Sequence, residues 1–278
     1  MNLSKLGIAL LALLLPMASS AESPAVPARS APTYADLADL AVEAPVAAHI
    51  KISQAIGLKE ERAAAVPPGK SRFYVEANIV SLIRGQGLPA SIRYLADMPR
   101  DSAGKSPKLR KKSEFLILAA PVPGRPGELQ LVAPDAQLAW SPALADRIRT
   151  ILREASAADA PPRIIGVGKA FHVPGSLPGE SETQLFLLAA GGRPISLSVL
   201  RRPGEQPRWA VALGEIVDEA AAPPAPDTLL WYRLACGLPH ALPPASFADA
   251  DAGNVEAIRA DYRLVLDRLG PCVRTRAP

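Results

Sequence analysis

The stretch Val46-Ala-Ala-His-Ile-Lys-Ile-Ser53 decides the fold of the first half of the chain. Its apolar residues occupy alternate positions, which is typical of a strand with one buried face and places His49 on the polar face. Four more short apolar stretches follow, separated by glycine, proline or polar turns: 73–83, 90–95, 114–119 and 129–132. Five short strands in this spacing predict a β-barrel-like domain of the SH3 or OB type. The order of the strands stays open.

The second half of the chain combines strands with helices. Strands are predicted at 163–167, 170–173, 183–188, 194–200 and 209–213, and Gly191-Gly192 predicts a hairpin. Capping residues predict helices after Thr33, Ser141, Asp227 and Asn254. The predicted fold class is therefore α+β, with the barrel-like domain in the N-terminal half. An antiparallel β-meander with helices makes up the C-terminal half.

The first 21 residues have the pattern of a secretory signal peptide. Lys5 precedes an apolar run from Leu6 to Leu15, and Ser19-Ser20-Ala21 supplies small residues for cleavage. A permanent transmembrane helix needs about 20 apolar residues, so we expect cleavage after Ala21 and no transmembrane anchor afterwards. We therefore expect a periplasmic or secreted protein. The predicted organisation is a signal peptide (1–21), a Pro/Ala-rich leader with a short helix (22–43), a β-rich barrel-like domain (44–140) and an α+β domain with a C-terminal helix (141–278).

Charge and cysteine content add two expectations. The formal net charge of +4 is too small to indicate nucleic-acid binding, which usually requires a concentrated basic face. Cys236 and Cys272 are the two cysteines of the chain. In an oxidising compartment they are most simply explained as a disulfide, which would join the last helix to the one before it.

Catalytic and metal-binding motifs are missing from the sequence. The three histidines include no closely spaced pair, and no G-x-S-x-G motif is present. We therefore expect no catalytic residue, no metal site and no cofactor, and a protein that is not an enzyme. The alternative is a periplasmic hydrolase whose site is assembled from distant residues such as His172, Ser176 and Glu180.

One loop concentrates positive charge: Lys105, Lys108, Arg110, Lys111 and Lys112. The simpler interpretation is a solvated loop that keeps strand edges apart, because no aromatic residue interleaves the charges. The functional interpretation is an anion-binding loop. It leads to the hypothesis of a non-catalytic cell-envelope module that binds an envelope protein or an anionic surface polymer. A third hypothesis is an assembly factor that acts through an exposed sheet edge.

Three passages resemble stretches in uncharacterised exported proteins of Gram-negative bacteria: Pro178–Gln184, Leu197–Leu213 and Leu229–Leu238. The resemblance covers most of the chain that follows the predicted cleavage site. It implies export and a shared fold. It carries no known activity and no catalytic residue.

Overall fold

The computed structural model describes residues 31–59, 66–214 and 221–276. The predicted signal peptide and residues 22–30 of the predicted Pro/Ala-rich leader lie outside these ranges. Within them, no helix combines the length and the apolar character needed to cross a lipid bilayer.

The first half of the chain forms a closed five-stranded barrel. Its strands are β1 (Val46–Gly57), β2 (Lys70–Arg84), β3 (Ser91–Pro99), β4 (Glu114–Pro121) and β5 (Glu128–Leu131). They pair in the order β1–β2–β3–β5–β4, and β1 also pairs with β4, which closes the barrel. The β3–β5 pair is parallel, and this order is that of the OB type. A short strand that was not predicted from the sequence, β6 (Gln137–Ala139), pairs with residues 115–117 of β4.

Strand β1 is buried on both faces between Val46 and Ile50, although its alternation predicted one buried face. Ile50 packs inside the barrel. Ala47 faces the other way and packs with residues of two helices, α1 (Tyr34–Glu43) and α2 (Pro142–Ala155). The prediction of a polar position for His49 was wrong, because this side chain is 6 % exposed and its ring stacks on Trp140. The covering helices precede and follow the barrel, so the strand's own sequence could not indicate them.

The second half contains an antiparallel meander with the strand order β10–β9–β8–β7. The strands are β7 (Ile164–Pro174), β8 (Ser181–Ala189), β9 (Ile195–Arg201) and β10 (Arg208–Ala212). One face of this sheet packs on α3 (Leu229–Ala235) and α4 (Ala252–Leu269). The structure therefore confirms the predicted α+β fold class, with a barrel in the first half and a meander with helices in the second.

Three local predictions in the second half were wrong. The two strands expected around Gly166 and Gly168 are one continuous strand, β7, which absorbs the glycines in register shifts against β8. Helix α3 is capped by Thr228, whose hydroxyl accepts a hydrogen bond from the backbone of Trp231. Helix α4 begins before Asn254, and the Asn254 side chain instead donates to the backbone oxygen of His172.

Two capping predictions were correct. Thr33 and Asp36 form a complete capping box at the start of α1, and the Ser141 hydroxyl caps α2. The predicted disulfide between Cys236 and Cys272 is also present. It joins the end of α3 to the segment that follows α4, so the two helices are linked covalently as expected.

Residues 273–276, which we call the tail, run from this disulfide across α1. The Thr33 hydroxyl donates to the backbone oxygen of Val273 at 2.8 Å. The Arg274 guanidinium pairs with Asp39, and the Arg276 guanidinium pairs with Asp135 in the turn between β5 and β6. Between these ion pairs, the backbone amides of Thr275 and Arg276 both donate to the carboxylate of Asp36, which is fully buried. The tail thus fastens the end of the second half to the first helix.

Candidate functional site

A groove of about 740 Å³ lies on the outer face of the barrel. Strands β2, β3 and β5 form one side of it. The connection from β4 to β5 and the residues that follow β5 form the other side. The barrel interior is filled by side chains, so a ligand would have to lie on the outside, and this groove offers a concave surface there.

Strand alternation places the side chains of the groove. Phe73 and Val75 point into the barrel core, so Tyr74 between them points outwards. Tyr74 stands opposite Leu95 on β3, and Leu95 is 48 % exposed. Ile56 on β1 stands on the other side of Tyr74 and is 46 % exposed. An exposed apolar strip therefore crosses three strands, with the tyrosine at its centre.

Charged side chains flank this strip. The Arg72 guanidinium donates two hydrogen bonds to the carboxylate of Asp97, each 2.7 Å long. This bidentate pair lowers the pKa of Asp97 below its usual value and fixes both side chains beside the tyrosine. Arg125, in the connection from β4 to β5, forms an ion pair with Glu128 at the start of β5. Arg93 is exposed and also lines the groove, and no ion pair to it is found in residues 31–59, 66–214 and 221–276.

The predicted anion-binding loop lies between β3 and β4, and all five of its cations are exposed: Lys105, Lys108, Arg110, Lys111 and Lys112. None of them takes part in an ion pair with another residue that the structure describes. Their interpretation as an anion-binding loop stays a prediction.

Several contacts hold the backbone of this loop in place. The Asp101 carboxylate accepts hydrogen bonds from the backbone amides of Ala103 and Lys105. The Ser106 hydroxyl bonds to that of Ser71 on β2 at 2.6 Å. The backbone amide of Lys112 donates to the oxygen of Ile52. The charges are therefore presented on an ordered scaffold.

The groove and the root of the loop adjoin one another. A second, smaller cavity of about 410 Å³ lies beside the groove, and Arg72 lines both. Lys70 and Arg100 contribute two more cations to this cavity. The apolar strip and the basic cavity are therefore neighbours on the barrel, and Arg72 lies between them.

The residues named for the hydrolase alternative lie on β7 and in the turn between β7 and β8. His172 Nδ1 lies 2.7 Å from the Thr183 hydroxyl, which donates to the buried carboxylate of Asp261. Because that hydroxyl has a single proton, Nδ1 of His172 donates to it. Ser176 is exposed in the turn between β7 and β8, and Glu180 accepts a hydrogen bond from the backbone of Leu177. Within the part of the chain that the structure describes, no hydrogen bond joins His172, Ser176 and Glu180.

Metal ligands are not clustered in the described ranges. No group of three histidine, cysteine, aspartate or glutamate side chains there could hold a metal ion.

Comparison with known proteins identifies no family for this chain. No family model matches it, and no curated protein is significantly similar to it in sequence.

The sequence pattern did not reveal the apolar strip. Tyr74 and Leu95 both fall on strands that it predicted, at outward positions where alternation leads one to expect polar residues. An aromatic residue on the polar side of a strand pattern was the available signal. This signal could be interpreted only with the pairing of β2 and β3, which places Tyr74 opposite Leu95 and which the sequence did not reveal.

Proposed function

We propose that this protein is an exported, non-catalytic binding module of the cell envelope, and that its ligand is an anionic surface polymer. Its binding surface would be the groove together with the basic loop, which we call the barrel surface. The observation that carries the proposal is that Arg72 lines both the groove and a neighbouring cavity, to which Lys70 and Arg100 add positive charge. This cavity lies at the base of the loop that exposes five more cations: Lys105, Lys108, Arg110, Lys111 and Lys112.

The chemistry of the barrel surface suits a chain with alternating apolar and anionic parts. A tyrosine ring offers a flat apolar face with a polar edge, on which a sugar ring or an aliphatic segment can lie. Arginine presents several donors in a plane and binds carboxylates or phosphates at two points. Barrels of the OB type bind oligosaccharides and oligonucleotides on this same face, which supports the choice by analogy of fold alone.

Nucleic acid is a poorer fit to the barrel surface than a charged polysaccharide. Single-stranded nucleic acid is bound by several aromatic side chains on which successive bases stack. The groove contains two tyrosines, and Tyr94 is turned into the barrel core. One outward ring, Tyr74, supplies one stacking position.

The disulfide supports the exported location that the proposal requires. A bond between Cys236 and Cys272 persists in the periplasm or outside the cell, whereas cytosolic reductants keep most thiols reduced. Anionic polysaccharides and lipid-linked polymers are abundant in those compartments. A secreted or periplasmic module would therefore meet its ligand directly.

The test compares two probes that differ only in charge. Fluorescently labelled dextran sulfate and uncharged dextran of equal length are titrated with the purified protein, and fluorescence anisotropy is recorded at low and high salt. We expect binding of dextran sulfate alone, weakened by salt because exposed charges are screened within about 10 Å at 0.1 M.

Two variants locate the binding surface. Replacing the five loop cations by alanine should weaken dextran sulfate binding at least tenfold, and Tyr74→Ala should weaken it by several-fold through loss of the stacking platform. Matched controls are Arg202→Ala with Arg208→Ala, and Val80→Ala, which change exposed residues outside the groove. Equal binding of both probes, or equal losses in the variants and their controls, would contradict the proposal.

A further inference from the structure

The face of the C-terminal sheet that points away from α3 and α4 is apolar. Five large side chains on β7 and β8 are between 38 % and 64 % exposed there: Ile165, Phe171, Val173, Phe186 and Leu188. We call this group the hairpin face. The rings of Phe171 and Phe186 meet edge to face with centroids 6.0 Å apart, so the group is contiguous across the two strands.

The size of the hairpin face suits a weak association. A fully exposed aromatic side chain presents about 200 Å² of surface, so these five half-exposed side chains together present on the order of 400 Å². Patches of this size on a monomer often mark interaction sites. Two such patches pressed together bury on the order of 800 Å², which is less than the roughly 1,200–2,000 Å² of a tight complex.

Charges at the two ends of the hairpin face have opposite signs. Arg163 and Arg193 are exposed at the end where β7 begins and β8 finishes. Glu182 is exposed at the other end, opposite Val173. The strand segment that separates Glu182 from the first end is seven residues long, about 23 Å at 3.3 Å per residue. Arg201 at the acidic end is engaged by Asp261 on the opposite face of the sheet. The exposed Arg202 and Arg208 at that end belong to the β9–β10 side of the sheet, outside the β7–β8 hairpin.

We infer that the hairpin face binds a second copy of this chain, face to face, with the two-fold axis running across the strands. In that arrangement the arginine end of one copy lies over the glutamate end of the other. A two-fold axis along the strands would instead place Arg163 over Arg163, which electrostatic repulsion disfavours. The charge pattern thus selects both the partner and the orientation, as expected for an isologous interface.

A lipid surface is a poorer fit to the same face. The tip of the β7–β8 hairpin carries exposed Leu177, but Glu180 and Glu182 stand beside it. Envelope membranes that contain anionic lipids repel such carboxylates. The self-association proposal is independent of the barrel surface and its ligand.

The experiment measures self-association by sedimentation velocity over a hundredfold range of protein concentration up to about 0.3 mM, where a weak dimer becomes populated. We expect a reversible shift from monomer to dimer. Phe186→Asp should weaken the association about tenfold or more, because it places a charge in the apolar centre. Val80→Asp, at a similarly exposed position on the barrel, is the control and should leave it unchanged.

Charge reversal tests the orientation. Glu182→Arg and Arg163→Glu should each weaken dimerisation, and the double variant should restore it, because each reversed charge again meets its opposite across the axis. Circular dichroism verifies that every variant is folded. A protein that stays monomeric at the highest concentration, or a double variant no better than the single ones, overturns the inference. Binding to anionic lipid vesicles by the monomer would assign the face to a membrane instead.

Discussion

Replacing Asp36 by asparagine should destabilise the protein by an amount that depends on pH. The carboxylate of Asp36 is completely buried at the start of α1 and accepts hydrogen bonds from Thr33, Thr275 and Arg276. Asparagine has a similar shape, but it offers one acceptor oxygen and turns an NH₂ group towards backbone donors. The substitution therefore removes the charge and leaves donors of the tail without a partner.

The pKa of Asp36 gives the size of the expected loss of folding stability. Burial acts to raise this pKa, but the hydrogen bonds from Thr275, Thr33 and Arg276 outweigh burial and lower it from 3.8 to about 2. The difference corresponds to about 2.5 kcal/mol of folding stability at neutral pH. Because the folded-state pKa is the lower one, this contribution is complete above about pH 5 and is lost as the pH falls towards 2. About half of it remains at pH 3.

Urea denaturation followed by tryptophan fluorescence measures the effect. At pH 7 we expect Asp36→Asn to lower the free energy of unfolding by about 2.5 kcal/mol, and at pH 3 by about half as much. Asp146→Asn is the control, because Asp146 is an exposed carboxylate on α2 whose ion pair with Arg149 contributes little. A variant as stable as the wild type at pH 7, or a loss of equal size at both pH values, would refute the assignment of Asp36 as the anchor of the tail.

Three other substitutions test the packing of the two halves, each by urea denaturation at pH 7. Changing Cys236 and Cys272 to serine together should lower the free energy of unfolding by roughly 3–4 kcal/mol, because a loop with a sequence separation of 36 is no longer closed in the unfolded chain; an unchanged midpoint would contradict this. Ile148→Ala should lower the free energy of unfolding by about 3 kcal/mol, because it leaves a cavity between α2 and the barrel, where Ile148 is fully buried. A loss below about 1 kcal/mol would mean that neighbouring side chains fill this cavity. Thr183→Val keeps the shape of the side chain but leaves His172 and Asp261 without their shared hydroxyl, so we expect a loss of about 1–3 kcal/mol; no loss would show that the network is dispensable.

The parts of the fold that the sequence predicted correctly depend on neighbours along the chain. The capping box at Thr33 and the cap at Ser141 are contacts between residues three positions apart, so their pattern is visible in the sequence. The alternation of β2 and the hairpin at Gly191-Gly192 are local in the same way. The disulfide could be predicted because two cysteines in an oxidising compartment have one possible intramolecular pairing.

The parts that the sequence did not predict depend on distant residues. Closure of the barrel joins β1 to β4, and the burial of His49 requires Trp140, more than ninety positions later in the sequence. Asp36 was recognised as part of a capping box, but its bonds to the tail span 239 positions. In the candidate site, the exposed loop cations were visible as a cluster, whereas the Tyr74–Leu95 strip depended on strand register. Register and closure are decided by packing across the whole chain.

The attachment of the tail to the first helix also determines when the fold can be completed. A ribosome releases residue 36 long before residues 275 and 276, so Asp36 cannot acquire these two donors until the chain is almost complete. The amino-terminal helix therefore reaches its final surroundings only after nearly everything else has been made. A premature stop codon just after Cys272 would remove the Thr275 and Arg276 donors of Asp36 together with both ion pairs of the tail, and would harm the protein far more than the loss of a few terminal residues suggests.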